Sequence, residues 1–130
     1  MKGLLPAALM LSLSLAGGTV AQDDPVRPLL SKDLAGVPGR EISMITVEYP
    51  PGGSSPAHTH HAQAMVYVLE GSIVMQLKDK AAVTLTAGQT FYEGPDDVHL
   101  ISRNASDSAR AKFVVFLVKD KGAPILKPLK

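Results

Sequence analysis

The sequence predicts an all-β domain, a sandwich or barrel of short strands, and three observations carry that prediction. Beyond residue 40 the chain divides into short runs of apolar and β-branched residues. Each run is closed by turn-forming Gly, Pro, Asn or Asp. No apolar stripe with the roughly 3.6-residue period of an amphipathic helix appears anywhere after residue 21.

Taken in order, residues 1–21 are expected to be an export signal rather than part of the fold. Met1 and Lys2 give a positive start, Gly3 to Leu15 is uncharged and rich in Leu and Ala, and Ala21 follows a small-residue site. An uncleaved membrane anchor would need roughly 20 apolar residues, and this run is shorter and ends in Gly17-Gly18. Cleavage after Ala21 leaves a single domain in the periplasm or outside the cell, with no stable membrane insertion. Residues 22–40, with Pro25, Pro28, Gly36, Pro38 and Gly39, read as an extended arm lying over the domain.

The barrel proper is expected over residues 41–120. Its runs are Ile42 to Tyr49, Ala64 to Leu69, Ser72 to Leu77, Ala82 to Thr86, Thr90 to Tyr92, Val98 to Ser102 and Lys112 to Val118. Between them stand Pro50 to Gly53, Glu70-Gly71, Asp79-Lys80, Ala87-Gly88, Gly94-Pro95 and Asn104 to Ser108. Phe113 to Val118 is apolar on both faces, which suits a strand covered on both sides. Residues 121–130 form a tail.

Composition removes several classes of function. The chain has no Cys, which excludes disulfides, thiolate zinc sites, iron–sulfur clusters and cysteine nucleophiles. Lys plus Arg is 13 and Asp plus Glu is 12, and losing Lys2 with the signal leaves the mature charges balanced. Nothing is built to hold nucleic acid by bulk charge. The Gly52-Gly53-Ser54-Ser55 run lacks the strand-to-helix setting of a nucleophile elbow and the Lys of a phosphate loop.

The histidines carry the most information. Of four, His58, His60 and His61 fall within four positions, and His99 stands beside a later strand. Residues two apart in a strand point the same way, so His58 and His60 can share a focus while His61 faces away. One further His from a neighbouring strand would complete a three-nitrogen set for Fe, Mn, Zn or Ni, with positions left open. The alternative is that the His-x-His pair is only a polar strand edge.

These residues fall into a pattern that resembles the cupins. Gly52, His58-Thr59-His60, position 64 and Tyr67-Val68-Leu69-Glu70-Gly71 are similar to the first cupin motif, and Gly88 through Glu93 to His99 and Asn104 to the second. The resemblance spans about Glu41 to Val118 and implies a double-stranded β-helix, the jelly-roll barrel, with a divalent metal inside. It further implies His58, His60 and His99 as ligands, and a homodimer as the working form.

The sequence departs from that pattern at one ligand. Where cupins carry a Glu this chain has Ala64, with Gln63 one residue earlier. Strict alternation turns Gln63 away from the metal, whereas a bulge after His61 would swing its amide oxygen inward as a fourth ligand. Without a carboxylate, three neutral imidazoles leave the full double charge on the ion, a stronger Lewis acid suited to anionic or enolisable oxygen compounds. On that reading Ala64→Glu should tighten binding. Glu48, Glu93, Asp96 and Asp97 are the nearest acids to serve as base or hydrogen-bond acceptor, with a solvated strand end the ordinary role for Glu93 and turn chemistry for the two Asp residues. The functions that follow are a metal-dependent oxygenase, lyase or isomerase on a small molecule, a non-catalytic binding or sensor module, or an empty barrel.

Overall fold

The computed structural model describes residues 24–130, so the expected export signal and the first residues of the arm lie outside the described residues. The chain builds β1 (Val26–Asp33), β2 (Arg40–Tyr49), β3 (Ser54–Ser55), β4 (His58–Thr59), β5 (Gln63–Glu70), β6 (Ser72–Leu77), β7 (Val83–Thr86), β8 (Thr90–Glu93), β9 (His99–Asn104), β10 (Ala111–Asp120) and β11 (Lys127–Pro128). There is no helix among the described residues, so the all-β expectation holds.

Two antiparallel sheets result. One runs β1-β2-β10-β5-β8 and the other β11-β4-β9-β6-β7, with the short β3 paired to β9. Alternation explains why they close on each other. On β2, Ile45 and Val47 point inward; on β5, Ala64, Val66 and Val68; on β10, Phe113, Val115 and Leu117. From the facing sheet come Ile73 and Met75. Each large side chain buried this way contributes roughly 1.5–3 kcal/mol. In β6, Ile73, Val74 and Met75 are all buried, which is why its alternation is loose in the sequence.

Three expectations need correction. The arm does not merely lie on the domain: β1 pairs with β2 from Val26↔Val47 to Asp33↔Glu41 as an edge strand. Its proline content hid this, yet an edge tolerates Pro, and the register shifts between Pro28 and Leu30. The tail likewise contributes β11, which pairs with β4. Finally, β10 is not covered on both sides. Val114, Phe116 and Val118 are only half-buried on an outer face that also carries exposed Met65, Tyr67 and Tyr92.

Two turns fix the barrel ends. Gly71, at φ +73°, lets β5 turn into β6, and a Cβ there would lie 2.5 Å from the Arg110 carbonyl oxygen. Asn104 is buried, and its amide donates to the carbonyls of Pro50 at 3.0 Å and Ala109 at 2.7 Å while its oxygen accepts from Ser106 N at 2.9 Å. One side chain thus ties the turn after β2 to the loop after β9.

Candidate metal centre

The site forms where the two sheets meet. His58 lies on β4 directly opposite His99 on β9, and His60 follows β4 by one residue. Glu93 is the last residue of β8, which belongs to the other sheet and pairs with β5. The turn between β8 and β9 brings Glu93 and His99 together, and Asp97 shapes it by accepting from Gly94 N at 2.7 Å. One potential ligand atom from each of His58, His60, Glu93 and His99 lies within 4.8 Å of the others, so the four can hold a metal ion.

Two carbonyls set the imidazole tautomers. His58 Nδ1 is 2.7 Å from the Pro56 carbonyl oxygen and His60 Nδ1 is 2.6 Å from that of Ile125. A carbonyl only accepts, so each Nδ1 must donate, and in the neutral rings each Nε2 is left with a lone pair. These two Nε2 atoms are 3.1 Å apart. Two lone pairs at that distance repel unless a cation, proton or metal, lies beside them.

The remaining members point the same way. Glu93 is 2% exposed, with Oε2 at 3.3 Å from His60 Nε2 and Oε1 at 3.0 Å from His99 Nδ1. The second contact is close but out of line with the ring N–H, so Glu93 Oε1 and both ring nitrogens of His99 have no hydrogen-bond partner. Buried polar atoms are rarely orphaned in this manner. A metal ion would partner Glu93 Oε1 and one of the two His99 nitrogens, since a single imidazole offers an ion one nitrogen.

Electrostatics divide the group. Burial pushes Glu93 upward, but the imidazoles of His60 and His99 outweigh it and hold the carboxyl at about 2. Burial pulls His60 downward, yet the Glu93 carboxylate and the Ile125 carbonyl more than compensate and raise it. His58, pushed down chiefly by burial, favours the neutral form a metal requires. Phe91 stacks on His99 at 5.9 Å between ring centres, fixing that ring from the apolar side.

The structure brings His58, His60 and His99 to one focus and leaves two other candidates out. His61 is exposed at φ +50°. Gln63 is also exposed, which corrects its expected place beside the ion. Despite the unusual backbone at His61, alternation continues unbroken, with Ala62 and Ala64 inward and Gln63 outward. The expected absence of a carboxylate is corrected as well. Ala64 is fully buried and is the register partner of Glu93, so the acid stands one strand away from where the motif puts it. Parity was the available signal, because Glu93 is two residues from the inward Phe91. Glu48 instead pairs with Arg110 and Lys112 at the surface.

Comparison with known proteins identifies the family and the fold. The cupin domain family matches residues 45–117, more than half of the chain, and the protein belongs to that family. A rhicadhesin receptor of Pisum sativum is 36% identical over 73 residues, covering 52% of this chain and 34% of the receptor. The chain therefore spans about a third of the length of that curated relative. Among solved structures, an uncharacterized Klebsiella pneumoniae protein with a double-stranded β-helix domain superposes with a TM-score of 0.66 at 18% identity, over 85% of this chain and 88% of its own. An oxalate oxidase in complex with glycolate gives 0.61 at 22% identity, over 85% and 58%. At these identities the structures establish the shared double-stranded β-helix fold.

Proposed function

We propose that the protein binds one divalent ion, iron or manganese, through His58, His60, His99 and Glu93 and uses it on a small anionic or enolisable oxygen compound as an oxygenase, lyase or isomerase. The observation that carries this reading is the 3.1 Å approach of the His58 and His60 Nε2 atoms while both Nδ1 atoms are committed to carbonyls. Mixed nitrogen and oxygen donors suit these metals, and four protein ligands leave positions for a ligand from solution. When bound, the ion supplies Lewis acidity and, for iron or manganese, redox capacity. The chain's own part is to aim the imidazoles, to keep Glu93 ionised beside them and to surround the site with apolar walls such as Val66, Met75 and Val115. Metal analysis of untagged protein purified without added metal tests this. One iron or manganese per chain supports the reading, and metal-free protein of full stability contradicts it.

A second reading rests on the size of the cavity beside the cluster. At about 30 Å³, under Ile125 and Leu126 of the tail, it suits a binding or sensing module that holds a metal without turning over a larger substrate. Turnover assays on the metal-loaded protein separate the two.

The proposal includes export and pairing. Residues 1–21 would direct the chain to the periplasm or beyond, and mass spectrometry of the native protein should find Gln22 at or near the new N-terminus. The outer face with Met65, Tyr67 and Tyr92 would support a homodimer, which light scattering at micromolar concentration tests.

A further inference from the structure

Beyond the four-residue cluster, the same cavity holds a second polar group that the metal reading leaves unused. Tyr49, at the end of β2, is 1% exposed and points its hydroxyl between two serines. Its oxygen is 2.6 Å from Ser55 Oγ and 2.8 Å from Ser102 Oγ. The serines are opposite one another where β3 pairs with β9. All three residues line the cavity together with His58, Glu93 and His99.

Counting protons gives this triad a direction. Three hydroxyls own three protons, and two hydrogen bonds use two of them. Whichever way the chain of bonds runs, one O–H remains a donor without an acceptor within the triad. Burial and the nearby Glu93 charge both raise the Tyr49 phenol, so it keeps its proton. A donor held in this cavity calls for an acceptor, and apart from the side chains of the metal cluster the rest of the wall, including Val47, Val66, Met75 and Phe113, is apolar and supplies none.

We propose that Tyr49, Ser55 and Ser102 form an oxygen-binding subsite that receives the distal oxygen of a small monoanion, of the carboxylate class, whose other oxygen faces the metal position. This rests on the metal reading above. Charge selects the ligand class: a divalent ion with three neutral imidazoles and one carboxylate retains one positive charge in an apolar cavity, and a monoanion cancels it. Size selects within the class. About 30 Å³ admits roughly two or three water-sized groups, and the ion shares that space, which suits a one-carbon acid with no substituent.

Formate is the probe, used with manganese-loaded protein in calorimetric titrations. Manganese affinity is measured first on the wild type, on Tyr49→Phe and on the double variant Ser55→Ala, Ser102→Ala, which keeps the Tyr49 ring and hydroxyl. Loss of a hydrogen bond to a charged ligand should weaken formate about tenfold in each variant while manganese affinity stays unchanged. Equal formate affinity in the wild type and both variants, or no formate binding to the loaded wild type, overturns the subsite and leaves the metal reading standing. Failure of the wild type to take manganese, iron or any other divalent ion overturns the metal reading itself, and the subsite falls with it.

Discussion

Ala64 and Glu93 face each other across the β5–β8 ladder, so the carboxylate missing from one strand is carried by its register neighbour. Side chains directly opposite in an antiparallel pair have Cβ atoms about 5 Å apart. A carboxylate can therefore change strands and still reach the same imidazoles. This explains how a chain that departs from the cupin pattern at position 64 retains a three-His, one-Glu set.

The relocation reverses the outcome expected for Ala64→Glu from sequence. Position 64 is fully buried, and a second acid there would meet Glu93 as a buried like charge. Ala64→Glu alone should lower thermal stability and fail to tighten metal binding. Glu93→Ala should weaken binding by more than roughly 100-fold, as loss of a ligand exceeds the 10–100-fold typical of its supporting residues. The double variant Ala64→Glu, Glu93→Ala should regain much of that affinity. Titration of a divalent metal into all three proteins checks the set.

The histidines should fall into two groups. His58→Ala, His60→Ala and His99→Ala each remove a donor from the cluster and should each reduce metal affinity by a similarly large factor. His61→Ala should change it by less than about twofold, because that ring is exposed and turned away. Competition with a chromophoric chelator gives the four affinities.

Acid stability of the metal-free protein should reveal Glu93. Its carboxyl is held at about 2, below the ordinary 4.5, so the folded chain binds that proton more weakly than the unfolded chain. The resulting stability is fully present above about pH 4.5 and is lost as pH falls toward about 2, amounting to at most roughly 3 kcal/mol. Urea melts across pH 2 to 6 should show this slope in the wild type and a shallower one in Glu93→Gln.

Asn104→Ala should destabilise the fold without touching the metal cluster directly. It strips the Pro50 and Ala109 carbonyls and Ser106 N of a buried partner, at a cost of about 2–4 kcal/mol. A denaturant midpoint shifted to lower urea at unchanged slope is the expected result.

How much could be read in advance depended on how local the signal was. Alternation is visible on β2, where Ile45, Val47 and Tyr49 alternate with Thr46 and Glu48, but β5 and β10 are apolar on both faces, so their inward sides follow from long-range packing. His58 and His60 are legible because two-residue spacing holds even around a two-residue strand. The strands β3, β4 and β11 have two residues each, too few to show a period. Prolines in β1 resembled loop punctuation because sequence does not reveal which strand will lie at an edge. From sequence Glu93 reads only as an accessory acid, since its partnership with position 64 is a long-range register that no local pattern encodes. For Gln63, composition allows either a bulged inward or an alternating outward placement, and the inward Ala62 and Ala64 turn it outward.

The most direct test of the metal centre is an anomalous difference map from crystals of the native protein, recorded at the absorption edge of the metal it carries. The account predicts a single peak per chain, bonded to His58, His60, Glu93 and His99, with Gln63 and His61 outside bonding distance. A map without a peak among those four residues, or one that places the ion on His61 or Gln63, would contradict it.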